Sequence, residues 1–147
     1  MGILLDSTVA IAAERAGKTP YQAIGEIAAA ITDTEAALSV VTVIELAHGI
    51  ERADSAERRR TRELFLNELV SEISVEPVTV YIAFRAARLD GSMQAGGTRV
   101  ALGDLSIGAT ALELGYSVLT HNVRHAPAST AARLQRVRLA AHRKPAD

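Results

Sequence analysis

Three carboxylates in this sequence stand where a protein could place groups for metal or acid–base chemistry. Asp6 directly follows the aliphatic run Ile3–Leu5. Glu45 lies in the segment SVVTVIELAHGI, and Asp104 lies in ALGDLSIGATALELGYSVLTHN. An ionised Asp after a buried strand needs a partner, because burial of an unpaired charge is costly. That partner is either the free backbone N–H groups of a following helix, which Asp caps, or a metal ion at the carboxyl end of a parallel strand.

Short aliphatic strands alternate with Ala-rich helices along the chain, and these elements must position the acids. The predicted strands are Ile3–Asp6, Leu38–Val41, Ile73–Val75, Tyr116–Thr120 and Arg136–Ala140. The predicted helices are Thr19–Ile31, Val43–Arg52, Ser55–Ser71, Val80–Ala95 and Asp104–Leu114. Strands separated by helices predict an α/β fold with a mostly parallel sheet that helices cover on both faces.

On such a scaffold the three acids fall at one edge of the sheet, although they are far apart in sequence. Ligands of open α/β sheets bind outside the carboxyl ends of the strands. Carboxylates that converge there raise one another's pKa unless a cation neutralises them. Oxygen ligands without cysteine suit Mg²⁺ or Mn²⁺. Taken singly, Glu45 is equally explained as a surface helix residue, and Asp104 as a helix N-cap.

Composition narrows the class of protein further. The 147 residues are 48% hydrophobic and 22% charged, which predicts a single domain over residues 1–147 with its own core. The absence of cysteine excludes disulfides and thiolate metal sites, and favours the cytoplasm. A net charge of −1 argues against a long-range electrostatic attraction to nucleic acid, though it permits a local one. No apolar run reaches membrane-spanning length.

Three segments together resemble a known family. The order and spacing of these segments are similar to those of the PIN-domain nucleases, and among them to the VapC-type toxins of toxin–antitoxin pairs. The segments are LLDSTVAI, SVVTVIELAHGI and ALGDLSIGATALELGYSVLTHNVRH. The resemblance runs from Ile3 to His125. It implies a PIN-like three-layer α/β/α sandwich with a mostly parallel central sheet.

The resemblance also implies an activity and partners. Asp6 and Asp104 correspond to the principal ligands of Mg²⁺ or Mn²⁺, and Glu45 to the third acid. The expected function is that of a metal-dependent ribonuclease toxin, in which a metal-activated water cleaves RNA phosphodiester bonds. The expected partners are an RNA substrate, a cognate VapB-like antitoxin and a second copy in a homodimer, with no membrane.

One departure from the family concerns the segment Thr120-His121-Asn122. Many relatives carry a fourth acid where Asn122 stands, and an amide brings no charge to a second metal. Asn122 is nevertheless expected to belong to the catalytic group, while Thr120, His121 and Arg124 are predicted substrate contacts. The basic tail from Arg133 to Lys144 is a further candidate surface for the RNA backbone.

Two other functions are also compatible with the sequence. The chain could be a PIN nuclease that acts in RNA processing without an antitoxin. It could also be a catalytically silent PIN-fold scaffold that only binds a partner; Asn122 favours this option, and the three acids disfavour it.

Overall fold

The computed structural model describes residues 2–30, 34–121 and 133–135, and in these residues two helices follow each of the first three strands. The strands are β1 (Gly2–Leu5), β2 (Glu35–Ser39), β3 (Ser74–Glu76), β4 (Ser117–Thr120) and β5 (Arg133–Gln135). The helices are α1 (Ser7–Arg15), α2 (Pro20–Ala30), α3 (Val40–Glu51), α4 (Ala56–Glu72), α5 (Val80–Ala95) and α6 (Leu102–Leu114).

The strands form one sheet in the order β3-β2-β1-β4-β5. Neighbouring strands run parallel from β3 to β4, and only β5 pairs antiparallel, with β4. Leu5, the last residue of β1, pairs with Leu38 of β2 on one side and Leu119 of β4 on the other. The end of β1 is therefore the centre of the sheet's carboxyl edge, where Asp6 follows.

Helices cover both faces of this sheet. On one face, Ile3 and Leu5 pack with side chains of α1 and α4, including Val9 and Leu69. On the opposite face Leu4 packs against α6, and α5 packs in turn against α6. Alternate residues of the buried β1 thus enter cores on opposite faces, as strand geometry requires. The predicted three-layer α/β/α sandwich with a mostly parallel sheet is confirmed.

The boundaries differ from the prediction at functionally important places. Helix α1 was not predicted, because its short sequence STVAIAAER follows the strand without a loop. Val41, predicted as the end of a strand, lies in α3, because the Ser39 side chain accepts a hydrogen bond from its backbone N–H and begins the helix there. Helix α6 begins at Leu102 rather than Asp104. The predicted strand at residues 136–140 lies outside the described residues.

The end of α6 and the lengths of the helices are also informative. Gly115 ends α6 in the left-handed conformation with φ of 69°, as expected of a glycine that turns the chain into the next strand. Within the described residues, none of the helices is long and apolar enough to cross a membrane.

Candidate active site

Asp6 is buried at the end of β1, with 8% of its surface exposed. It is the N-cap of α1, and its Oδ1 accepts a hydrogen bond of 2.9 Å from the backbone N–H of Ser7. The backbone N–H of Asp6 donates to the Leu119 carbonyl at 2.9 Å, which continues the sheet by one residue. The capping interpretation is therefore confirmed, and it does not exclude a metal, because an N-cap bond uses only part of the carboxylate.

Two threonine hydroxyls hold the other oxygen of this carboxylate. Asp6 Oδ2 accepts hydrogen bonds from Thr8 Oγ1 at 2.8 Å and from Thr120 Oγ1 at 2.7 Å. Thr8 Oγ1 in turn accepts from the backbone N–H of His121 at 3.0 Å, so it ties the residue after β4 to Asp6. The role of Thr8 was not predicted from the sequence. Thr120 was predicted as a substrate contact, which stays a prediction; the observed bond of Thr120 to Asp6 positions the carboxylate.

Asp104 lies in the first turn of α6 and its side chain reaches solvent. The alternative explanation of Asp104 as an N-cap is wrong, because the N-cap is Ala101 and no side chain caps this helix. Partial burial raises the pKa of Asp104, and the negative charge of Asp6 raises it further. The two carboxylates therefore lie near enough to repel each other, as predicted for acids at one sheet edge.

Glu45 lies half-buried in the second turn of α3, beside the start of α6. A Cβ atom placed on Gly103 would come within 2.8 Å of Glu45 Oε1 and 3.6 Å of a Val41 methyl group. The glycine next to Asp104 thus leaves the space that the Glu45 carboxylate occupies. This role of Gly103 was not foreseen, since nothing in the sequence shows which helix packs against it.

The structure brings the predicted site residues together only in part. Asp6 and Asp104 interact electrostatically, and Glu45 lies beside the residue that precedes Asp104. Among the described residues, no three His, Asp or Glu side chains lie close enough to hold one metal ion jointly. Asn122 and Arg124 lie outside the described residues, as does the basic tail apart from β5.

The donor chemistry of this site fits a hard divalent cation. Its carboxylate and hydroxyl oxygens are the ligands that Mg²⁺ and Mn²⁺ prefer, and the described residues carry no cysteine. A cation between Asp6 and Asp104 would relieve the repulsion that raises the pKa of Asp104. The two carboxylates are therefore chemically compatible with a divalent cation, and the Glu45 carboxylate lies beside Gly103, the residue that precedes Asp104.

Comparison with known proteins assigns the chain to a family. The family model described as PIN domain matches residues 3–140, so the chain belongs to the PIN domain family. Ribonuclease VapC1 from Rickettsia felis is 27% identical over 124 residues, which cover 84% of this chain and 87% of that protein.

Solved structures agree with this assignment. The structure of VapBC-5 from Mycobacterium tuberculosis, a member of the VapBC family of toxin-antitoxin systems, shares 30% identity with this chain over 82% of its length and 85% of that chain, with a TM-score of 0.65. VapBC2 from Rickettsia felis, solved with a DNA fragment from its promoter, shares the fold at 18% identity. The match covers 84% of this chain and 90% of that one, with a TM-score of 0.69.

Removal of the Asp104 charge is expected to stabilise the metal-free protein. The pKa of Asp104 is raised in the folded state, so folding favours its protonated form. The free energy of unfolding is therefore higher at low pH, and this gain is lost as the pH rises through the folded-state pKa and the carboxylate becomes charged. Asp104→Asn is expected to raise the melting temperature at pH 7 by about 1–2 °C, as exposed charges contribute about 0.5 kcal/mol. Thermal melts from pH 3 to 8 test this: the difference must shrink as the pH falls, and an equal difference at every pH would contradict it.

Filling the space beside Glu45 is expected to disturb the site. Gly103→Ala places a methyl group against Glu45 Oε1, so the carboxylate must move away. Gly91, in α5, is the matched control, because a Cβ there meets nothing within 4 Å and alanine is the better helix former by about 1 kcal/mol. We expect Gly91→Ala to raise the melting temperature without changing divalent-ion binding, and Gly103→Ala to weaken that binding in calorimetry. Equal ion binding by both variants would place Glu45 outside the metal site.

Proposed function

We propose that this protein is a metal-dependent endoribonuclease of the VapC type, the toxin of a toxin–antitoxin pair. The observation that carries the proposal is the electrostatic coupling of Asp6 and Asp104 at the carboxyl edge of a PIN-fold sheet. The similarity to ribonuclease VapC1 supports RNA as the substrate. The cytoplasm is the compartment where that substrate and an antitoxin would meet the enzyme.

In this proposal Asp6 and Asp104 hold Mg²⁺ or Mn²⁺, with Glu45 as the third acid. When bound, the ion supplies an acidified water and charge stabilisation at the scissile phosphate. The Asp6 carboxylate is held in place by hydrogen bonds from the Ser7 N–H and from the hydroxyl groups of Thr8 and Thr120. Its oxygens therefore do not have to change position during the reaction. Glu45, whose carboxylate lies beside Gly103, or Asp104 would orient the attacking water in this proposal.

Incubation of the purified protein with a structured RNA tests this function. Cleavage in Mg²⁺ or Mn²⁺ and its loss in EDTA are expected; undiminished cleavage in EDTA contradicts the metal mechanism. If no RNA is cut and no divalent ion binds, the silent scaffold is the better description. If RNA is cut but no antitoxin partner exists, the nuclease acts in RNA processing instead.

A VapB-like antitoxin is the proposed protein partner, and a groove beside Glu45 supports it. The cavity of about 210 Å³ lies between α1, α3 and α4, with Leu46 and Phe65 among its apolar lining. Glu45 lines the same cavity, as do Arg15 and Arg52. An antitoxin segment lying there could insert an Arg or Lys between the carboxylates and displace the ion, since opposite charge relieves their repulsion.

A homodimer is also proposed, through an exposed apolar surface on α5. This α5 patch consists of Val80, Tyr81 and Phe84, which are 73%, 60% and 64% exposed and lie on one side of the helix. Apolar side chains exposed together commonly mark protein interfaces. Phe84→Glu is expected to convert a dimer to a monomer in light scattering, while Tyr21→Glu, another exposed aromatic position, should leave the dimer intact. Dimers of unchanged affinity in Phe84→Glu would exclude this surface.

A further inference from the structure

We infer that the hydroxyl groups of Thr8 and Thr120 make the site select Mg²⁺ and Mn²⁺ over Ca²⁺, by restricting Asp6 to a single ligating oxygen. Both threonines act as positioning residues, through the carboxylate they hold. The inference rests on the proposed metal site and concerns which oxygen of Asp6 is available to the ion.

The free lone pairs of the Asp6 carboxylate determine which of its oxygens an ion can bind. Each carboxylate oxygen can accept about two hydrogen bonds. Oδ2 accepts one from Thr8 Oγ1 and one from Thr120 Oγ1, so both of its positions are used. Oδ1 accepts one bond among the described residues, from the Ser7 N–H, and so retains a position for an ion.

The hydrogen-bond directions around Thr8 are fixed by its neighbours. The His121 N–H can only donate, so Thr8 Oγ1 accepts that bond and keeps its own proton for Asp6. The Thr120 proton also goes to Asp6. The two hydroxyl oxygens also lie within hydrogen-bond distance of each other, at 3.3 Å, and neither hydroxyl can turn away from Oδ2 without losing a shorter bond.

This arrangement has a consequence for the choice of metal. Mg²⁺ accepts single oxygens in near-ideal octahedral geometry, whereas Ca²⁺ takes six to eight oxygens and often binds both oxygens of a carboxylate. With Oδ2 occupied by two hydroxyl groups, Asp6 offers an ion only Oδ1. The site therefore supplies the ligation that Mg²⁺ requires and withholds the additional oxygen that favours Ca²⁺.

Calorimetric titration of the metal-free protein with Mg²⁺, Mn²⁺ and Ca²⁺ tests the inference. Thr8→Val removes one hydroxyl and keeps the side-chain shape, while Thr8→Ser keeps the hydroxyl. Loss of a group that supports a metal ligand lowers affinity by about tenfold or more. In Thr8→Val we expect about tenfold weaker binding of Mg²⁺ and Mn²⁺ and little change in the binding of Ca²⁺. The ratio of the affinity for Mg²⁺ or Mn²⁺ to the affinity for Ca²⁺ therefore decreases. Thr8→Ser should retain the parent's preference, and Thr120→Val should behave as Thr8→Val does.

Other results of these titrations would overturn the inference. Equal weakening of all three ions in Thr8→Val overturns selection by the hydroxyls, because it shows only a general loss of support for Asp6. An unchanged preference in both valine variants overturns it as well. If Thr8→Val does not fold, Thr120→Val decides between these results. A parent protein that binds none of the ions overturns the proposed metal site itself, and the inference with it.

Discussion

Asp104→Asn is expected to lose RNA cleavage and to gain stability at the same time. The substitution removes a charge that repels Asp6 in the metal-free protein and that the proposed ion requires. Since metal-ion stabilisation of transition-state charge contributes several kcal/mol, the cleavage rate should fall about 100-fold or more. Asp6→Asn should lose as much activity, but without a gain in stability, because its carboxylate accepts three hydrogen bonds that an amide cannot all replace.

Initial rates of cleavage and thermal melts on the same preparations measure these effects. Asp54→Asn is the control, since it removes an exposed carboxylate whose pair with Arg58 contributes little. That variant should cut RNA at the parent's rate. An Asp104→Asn protein that cleaves RNA normally would remove this residue from the catalytic group, whatever its stability.

Growth arrest on expression of the chain alone, and its reversal by a cognate antitoxin, is the second large effect that we expect. A ribonuclease turns over many RNA molecules, so a small amount of active enzyme suffices to stop growth. An antitoxin that inserts a cation between Asp6 and Asp104 would prevent ion binding and silence every copy it occupies.

Plate growth after induction measures the arrest, with and without the neighbouring reading frame supplied on a second plasmid. Asp104→Ala is the inactive comparison, checked by immunoblot for equal amounts of protein. Arrest by Asp104→Ala as strong as by the parent would show that toxicity does not come from this site. Arrest that no neighbouring gene relieves would favour a nuclease without an antitoxin.

The fold class and most of the helices and strands could be predicted from the sequence, because hydrophobic periodicity depends only on residues that are close together in the chain. The helix Val80–Ala95 was predicted with its observed bounds, since its cap and breaker residues stand next to it in the chain. Where the strand preference of a residue conflicted with a neighbouring helix N-cap, the residue adopted the helical conformation. Val41 has the β-branched side chain typical of strands, yet it lies in α3 because Ser39 caps that helix.

The site was predicted less completely, because its remaining contacts join distant parts of the chain. Asp6 was identified from its place after a buried strand, and its neighbour Thr120 from the family's pattern. Nothing local distinguishes Thr8 from other helix hydroxyls, since its partner His121 lies 113 residues further along. Gly103 likewise acquires meaning only from Glu45, which packs against it from another helix.

Anomalous diffraction from crystals grown with Mn²⁺ tests the central claim most directly, that Asp6 and Asp104 share one divalent cation. The account predicts an anomalous peak between these two carboxylates, in contact with Oδ1 of Asp6, and no such peak in crystals of Asp104→Asn. A Mn²⁺ ion bound elsewhere, or the same peak in Asp104→Asn, would contradict it.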